Sequence, residues 1–315
     1  MKKSVLFTFL LASVSLMACS QKTKTKSEKQ SAPNNTLLWR ISGKNLSKPS
    51  YLFGTMHMLC GDDIVLSDSL KAAIGQSDNV YLELEMDNMF EMLGAMQSMN
   101  MKGDTTLSDL LTAKEYQKVK EYFDENSGMI PFSMLESFKP MLAASLIAQQ
   151  ETKSAGGCDN MVAMEGLIMQ EAKEAEKKIK GLETMKYQLG IFDKIPYKLQ
   201  AKQLYEMVTK IKDTTSSNEL LVLSDAYRNQ QLEKLEEMTV KEDMGIKNFT
   251  ELLLYKRNEN WAKKLEELML EKSLVIAVGA GHLPGKRGVI NLLRKSGYKV
   301  EPVKNDMVKR KTKEV

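Results

Sequence analysis

Five apolar residues, Leu274-Val275-Ile276-Ala277-Val278, run straight into Gly279-Ala280-Gly281-His282-Leu283-Pro284-Gly285, and this stretch constrains the fold more than any other. Mostly β-branched and free of charge, the run describes a strand buried on both faces. The glycines and Pro-Gly describe a tight turn that presents a polar side chain at the strand's end. The chain has two histidines, and the other, His57, closes Gly54-Thr55-Met56-His57 behind Tyr51-Leu52-Phe53. Both histidines therefore end a Gly-x-x-His that follows a strand. In open α/β sheets ligands collect at the carboxyl ends of strands. Glycine allows close backbone approach there, and imidazole is both a metal ligand and a near-neutral acid or base. An ordinary turn histidine explains either one alone; the pair points to a site.

Leu37 to Ser42 and Tyr51 to Phe53 read as a hairpin joined by a Gly/Asn/Pro turn. A helix from Ser67 to Gln76 follows, with Ser67 as N-cap. Val80-Tyr81-Leu82-Glu83-Leu84-Glu85 then alternates as a strand, with Tyr81, Glu83 and Glu85 on one face. From Thr105 to Lys272 the pattern is almost wholly helical, including Ala113 to Phe123, Met141 to Gln150, Met161 to Lys178, Ser217 to Asn229 and Asn248 to Glu271. The charge runs there read as solvated helix faces. After His282 a helix ends near Ser296, with Gly297 just past it, and Tyr298 to Val303 is a last strand. The expected fold is α/β: a mixed sheet built from two similar βαβ units, N- and C-terminal, with a long helical insertion over roughly residues 104–272. If both units join one sheet in parallel, His57, Glu83 and His282 meet at one edge.

Lys2-Lys3, the apolar run Val5 to Met17 and Leu16-Met17-Ala18-Cys19 read as a lipoprotein-type signal over 1–18, with Cys19 the lipidated residue. Residues 19–35 read as a flexible tether, 36–304 as the folded domain and 305–315 as a basic tail. The expected location is exported and lipid-anchored to a bacterial cell-envelope membrane. Cys60 and Cys158 remain, and in an oxidising compartment an even count favours a disulfide; Cys60 as a further metal ligand is the alternative. The net charge of +4 is dispersed among interleaved lysines and glutamates, which argues against a nucleic-acid partner. Met86, Met89, Met92, Met96 and Met99 recur at helical spacing. Thioethers bind copper, but an adaptable apolar face packed on the core or lining a groove is the plainer reading.

Two histidines and a carboxylate make a common ligand set for a catalytic divalent metal, here His57, Glu83 and His282. Such an ion activates water and polarises a carbonyl. The spacing is not His-Glu-x-x-His, so the ligands would come from three separate strand ends.

Ser50 to His57, Tyr81 to Leu84, Gly181-Leu182-Glu183-Thr184, Arg257-Asn258 and Val278 to Gly285 together resemble the TraB/GumN family, over Leu37 to Val303. The resemblance implies kinship with the Tiki metal-dependent proteases, which use paired Gly-x-x-His motifs with manganese or cobalt. It also implies kinship with erythromycin-esterase-like proteins that act without an obligatory metal. Carried over, it makes His57, Glu83 and His282 the active-site set and adds Glu183, Arg257 and Asn258. Glu183 could instead cap the helix starting near Thr184, and Arg257 could be an oxyanion donor or a structural partner of Glu83 or Glu85. The expected function is a metal-dependent hydrolase, a peptidase using manganese, cobalt or zinc, with Glu83 or Glu183 as general base. Its substrate would be a protein, peptide or other extracytoplasmic molecule. The alternatives are a metal-free, esterase-like hydrolase with His57 as base oriented by Glu83, and a non-catalytic lipoprotein that binds peptide or polysaccharide.

Overall fold

In the computed structural model the apolar run is a strand, Leu274–Gly279, whose first five residues are buried, and the sheet is assembled around it. The structure describes residues 35–307 apart from Met58, 62–63, 127–129, 156–159, 211–213 and 242–249. Cys19, the leader and the tether lie outside these residues. No helix among the described residues is long and apolar enough to cross a membrane.

The described strands are β1 (Leu38–Ser42), β2 (Ser50–Thr55), β3 (Leu59–Cys60), β4 (Asn79–Leu84), β5 (Met161–Val162), β6 (Lys178–Glu183), β7 (Leu274–Gly279) and β8 (Lys299–Pro302). Six form one sheet in the order β6-β4-β7-β2-β1-β8, while β3 and β5 make a small antiparallel ladder of their own. β2, β7, β4 and β6 run parallel, and β1 pairs antiparallel with both β2 and β8. The α/β class and mixed sheet follow the sequence expectation. The two βαβ units are interleaved rather than side by side: β7 lies between β2 and β4, and β2 and β1 separate β7 from β8. One continuous core of leucine, isoleucine, valine and aromatic side chains covers the sheet, and a second cluster packs the helices between Leu107 and Val208.

Several local readings hold. Ser67 caps the helix Asp68–Gln76 by accepting from the Leu70 N–H, and Gly297 adopts φ +92° beyond the last helix. The insertion, however, is not wholly helical. The expected helix Met161 to Lys178 is instead β5, a helix Met164–Glu174, and the start of β6. Glu176 turns left-handed at φ 55° and ends that helix, after which Lys178 and Lys180 point outward from an edge strand. Charged edge strands resist pairing with other chains, and their alternation resembles a solvated helix in composition. The methionine face also differs from expectation: Met86, Met89, Met92 and Met96 are exposed beside Phe90 rather than packed on the core.

Candidate active site

Four parallel strands end on one edge, and that edge gathers the polar chemistry. β2 leads to His57, β4 carries Glu83, β6 ends with Glu183, and β7 leads into a 3-10 turn, Ala280–His282. The turns fit together because Gly54 has no side chain: a Cβ there would stand 2.8 Å from Leu283 Cδ1 and 3.1 Å from Ala280. Tyr227, fully buried, donates to the Gly54 carbonyl at 2.9 Å and fixes that end of β2.

Arg257 is the hub. Its Nη2 donates to Glu83 Oε2 at 2.6 Å and Glu183 Oε2 at 2.8 Å, and its Nε donates to Glu183 Oε2 at 3.0 Å. Its Nη1 reaches the Leu253 carbonyl at 3.0 Å. That carbonyl belongs to a π-helical turn, Glu251–Tyr255, just before the helix Lys256–Glu271. Such turns recur at functional sites because they re-aim the side chains that follow. The guanidinium also lies 4.7 Å from the Trp261 ring centre. Gln188 donates to both carboxylates, and the Gly279 N–H donates to Glu83 Oε1 at 2.8 Å. Glu183 thus binds Arg257, whereas Thr184 caps the following helix through the Tyr187 N–H.

His282 completes this buried network. Asn258 donates its amide N–H to the Arg287 carbonyl at 2.9 Å, which turns Asn258 Oδ1 toward His282 Nδ1 at 2.6 Å. Nδ1 therefore carries the proton, and Nε2 offers its lone pair to Arg257 Nη1 at 3.3 Å. Burial is the main force holding the His282 pKa down to about 4, aided by Arg257 and His57 against Glu83, so the ring is neutral at pH 7. For Glu83 burial alone would raise the pKa, but attraction to His282 and Arg257 with the Gly279 N–H brings it down to about 2. With His282 neutral, Arg257 and the amide keep Glu83 ionised near pH 7.

His57 stands apart from that cluster, although each feels the other's charge. Its Nδ1 lies 2.9 Å from Glu165 Oε1; the imidazole is 73% exposed and the carboxylate 8%. The contact with Glu165 is the main cause raising the His57 pKa, and desolvation by the surrounding protein opposes it. The ring is thus largely open to water. Glu165 replaces Glu83 as the expected partner of His57, and the sequence reading missed it. Gln188 was missed as well.

A divalent-metal site would need three donors turned to one point. Glu83 Oε1 and His282 Nε2 do face each other at 3.8 Å. Arg257 already engages both residues, His57 is tied to Glu165, and no three His, Cys, Asp or Glu side chains among the described residues could hold an ion. The residues in this arrangement do not fit a metal, and Arg257 provides the cation between the carboxylates. Cys60 is disulfide-bonded and so is no metal ligand. Cys158 lies outside the described residues, but the β3–β5 ladder sets Cys60 opposite Met161.

Fold and site together define an α/β protein with a buried carboxylate–arginine–histidine network at the parallel strand ends and a second, exposed histidine outside it. Residues 37–302 match the model of the TraB/PrgY/gumN family, and the chain belongs to that family. It is similar to Metalloprotease TIKI1 of Xenopus tropicalis, with 25% identity covering 93% of this chain and 66% of the relative. Metalloprotease TIKI1 of Homo sapiens is 24% identical over 86% of this chain and 63% of the relative. The Metalloprotease TIKI homolog of Amphimedon queenslandica is 23% identical over 85% and 62%. The chain thus spans about two thirds or less of the length of these relatives. No solved structure matches it.

Proposed function

We propose that this chain is a hydrolase that cleaves peptide bonds in extracytoplasmic substrates while tethered to a cell-envelope membrane through a lipid on Cys19. The observation that carries this reading is an open histidine, His57, held within electrostatic range of the buried Glu83–Arg257–Glu183–His282–Asn258 network at the same strand edge. The names of the relatives support proteolysis as the reaction.

In this reading His57 Nε2 takes a proton from water as the water oxygen bonds to the scissile carbonyl carbon. The proton then passes to the leaving amine as the C–N bond breaks. The imidazolium formed in between is favoured by Glu165 and by the network, where two carboxylates face one guanidinium beside a neutral imidazole. Asn258, Gln188 and Trp261 keep that network fixed.

A second reading, dependence on a divalent metal, is supported by the relatives' names and by the same excess of negative charge, which a cation would neutralise. The test is turnover of an unstructured protein substrate by the mature chain, with and without chelator, followed by manganese, cobalt or zinc. Chelator-resistant cleavage lost in His57→Ala supports the first reading. Cleavage abolished by chelator and restored by one ion supports the second. Tight peptide or polysaccharide binding with no turnover under any loading would leave a binding protein.

A further inference from the structure

Glu165 has no place in the family motifs described above, and its surroundings are unusual for a carboxylate. It lies in the first turn of the helix Met164–Glu174, where the Met164 N–H donates to the Met56 carbonyl at 3.3 Å. The adjoining β3–β5 ladder pairs Leu59 with Val162, and the Gly61 N–H donates to the Asn160 carbonyl at 2.8 Å. Backbone contacts on both sides thus lock the start of this helix against the loop that carries His57. Glu165 Oε2 is buried without a hydrogen bond, as is Thr55 Oγ1. Burial alone would raise the Glu165 pKa; the contact with His57, and to a smaller degree the nearby Thr55 hydroxyl, bring it below the usual carboxylate range. Tyr227, whose hydroxyl is committed to Gly54, also senses the Glu165 charge.

A buried carboxylate whose one ionic partner among the described residues is a largely exposed imidazole is a poor device for stability. Desolvation penalises the acid, and an exposed partner returns little. The arrangement does have a sharp geometric consequence. A carboxylate at Nδ1 selects the tautomer with hydrogen on Nδ1 and leaves the lone pair on Nε2, an atom with no hydrogen-bond partner among the described residues. Asn258 imposes the same tautomer on His282.

We propose that Glu165 is a positioning residue that holds His57 through Nδ1–H, so that Nε2 is the lone-pair atom open to substrate. This rests on the hydrolase reading for its catalytic meaning, but the tautomer is measurable without turnover. With two histidines in the chain, the 15N spectrum of the full, untagged, histidine-labelled mature protein at about pH 9, where imidazole is neutral, contains two ring systems. His57→Ala assigns them.

The expected result is Nδ1–H for His57 in the wild type, loss of that preference in Glu165→Met, and its retention in Glu165→Gln, which keeps an acceptor oxygen. Turnover should fall about 10²–10⁴-fold in kcat for Glu165→Met with KM little changed, and recover in part with glutamine. A wild-type His57 found as Nε2–H, or a Glu165→Met protein with unchanged tautomer, would overturn the proposal; if that variant does not fold, the wild-type and Glu165→Gln spectra decide. A shifted tautomer with unchanged kcat removes the catalytic role. No turnover in the wild type, with the tautomer as expected, defeats the hydrolase reading and leaves the geometry standing.

Discussion

Replacing Arg257 by methionine tests the central claim that a side chain, in this arrangement, supplies the cation of the site. Methionine keeps much of the apolar length against Trp261 but withdraws the guanidinium from Glu83 and Glu183, whose side chains are 15% and 6% exposed. Gln188 remains as a neutral donor to both. Removing one partner of a buried ion pair typically costs about 3–5 kcal/mol, because the other charge stays behind unpaired. Two stranded carboxylates place this substitution at the upper end. For a domain of this size that corresponds to a Tm lower by roughly 10 °C or more. Urea and thermal unfolding of Arg257→Met, Glu183→Gln and the double variant would measure it. The double variant should regain a large part of the loss, since it leaves one fewer charge uncompensated. A loss below about 1 kcal/mol for Arg257→Met, or a double variant no more stable than the single one, would refute the argument.

Three further outcomes follow from the same structure. Unfolded, His282 titrates near its ordinary value of about 6.5; folded, it titrates at about 4. Between these values the unfolded chain takes up a proton that the native protein refuses. The stability of metal-free protein therefore falls as pH falls through that window, by on the order of 3 kcal/mol, and an unchanged slope in His282→Gln would contradict the assignment. Gly54→Ala should cost about 1–3 kcal/mol, because its methyl group meets Leu283 and Ala280; a fully stable variant would show that the two turns are not in contact. Ser67→Ala should cost about 1–2 kcal/mol by denaturant melt, since it removes both the cap to Leu70 and the 2.6 Å bond to Asn305; a cost within a few tenths would mean the cap is idle.

The sheet edge was legible because its signals are local and strong. The run before Gly279 can hardly be anything but a buried strand, and Glu83 stands out where an alternating strand puts a carboxylate on a buried element. Glu165 could not be seen the same way. It is a single carboxylate in the first turn of an amphipathic helix, a place where acids are common because they suit the positive helix end, and it is the β3–β5 ladder, two residues in each strand, that sets this turn against the His57 loop. β6 hid for a related reason. Lys178 and Lys180 belong to an edge strand's exposed face, and their composition equals that of a helix surface. Long-range pairing decided both cases, and nothing in the local sequence encodes it.

The two Gly-x-x-His turns show why equal motifs need not have equal tasks. After His282 the chain buries Leu283, so the imidazole is carried inward, neutralised and locked by Asn258. At His57 the neighbouring strand β3 also buries its Leu59, yet the imidazole itself stays in water and meets a carboxylate instead of an amide. One ring here is neutral because it is buried, and the other is more basic because of Glu165. The proton-handling role proposed for His57 fits this division, and the difference lies in what each ring meets, Glu165 or Asn258, rather than in the motif itself.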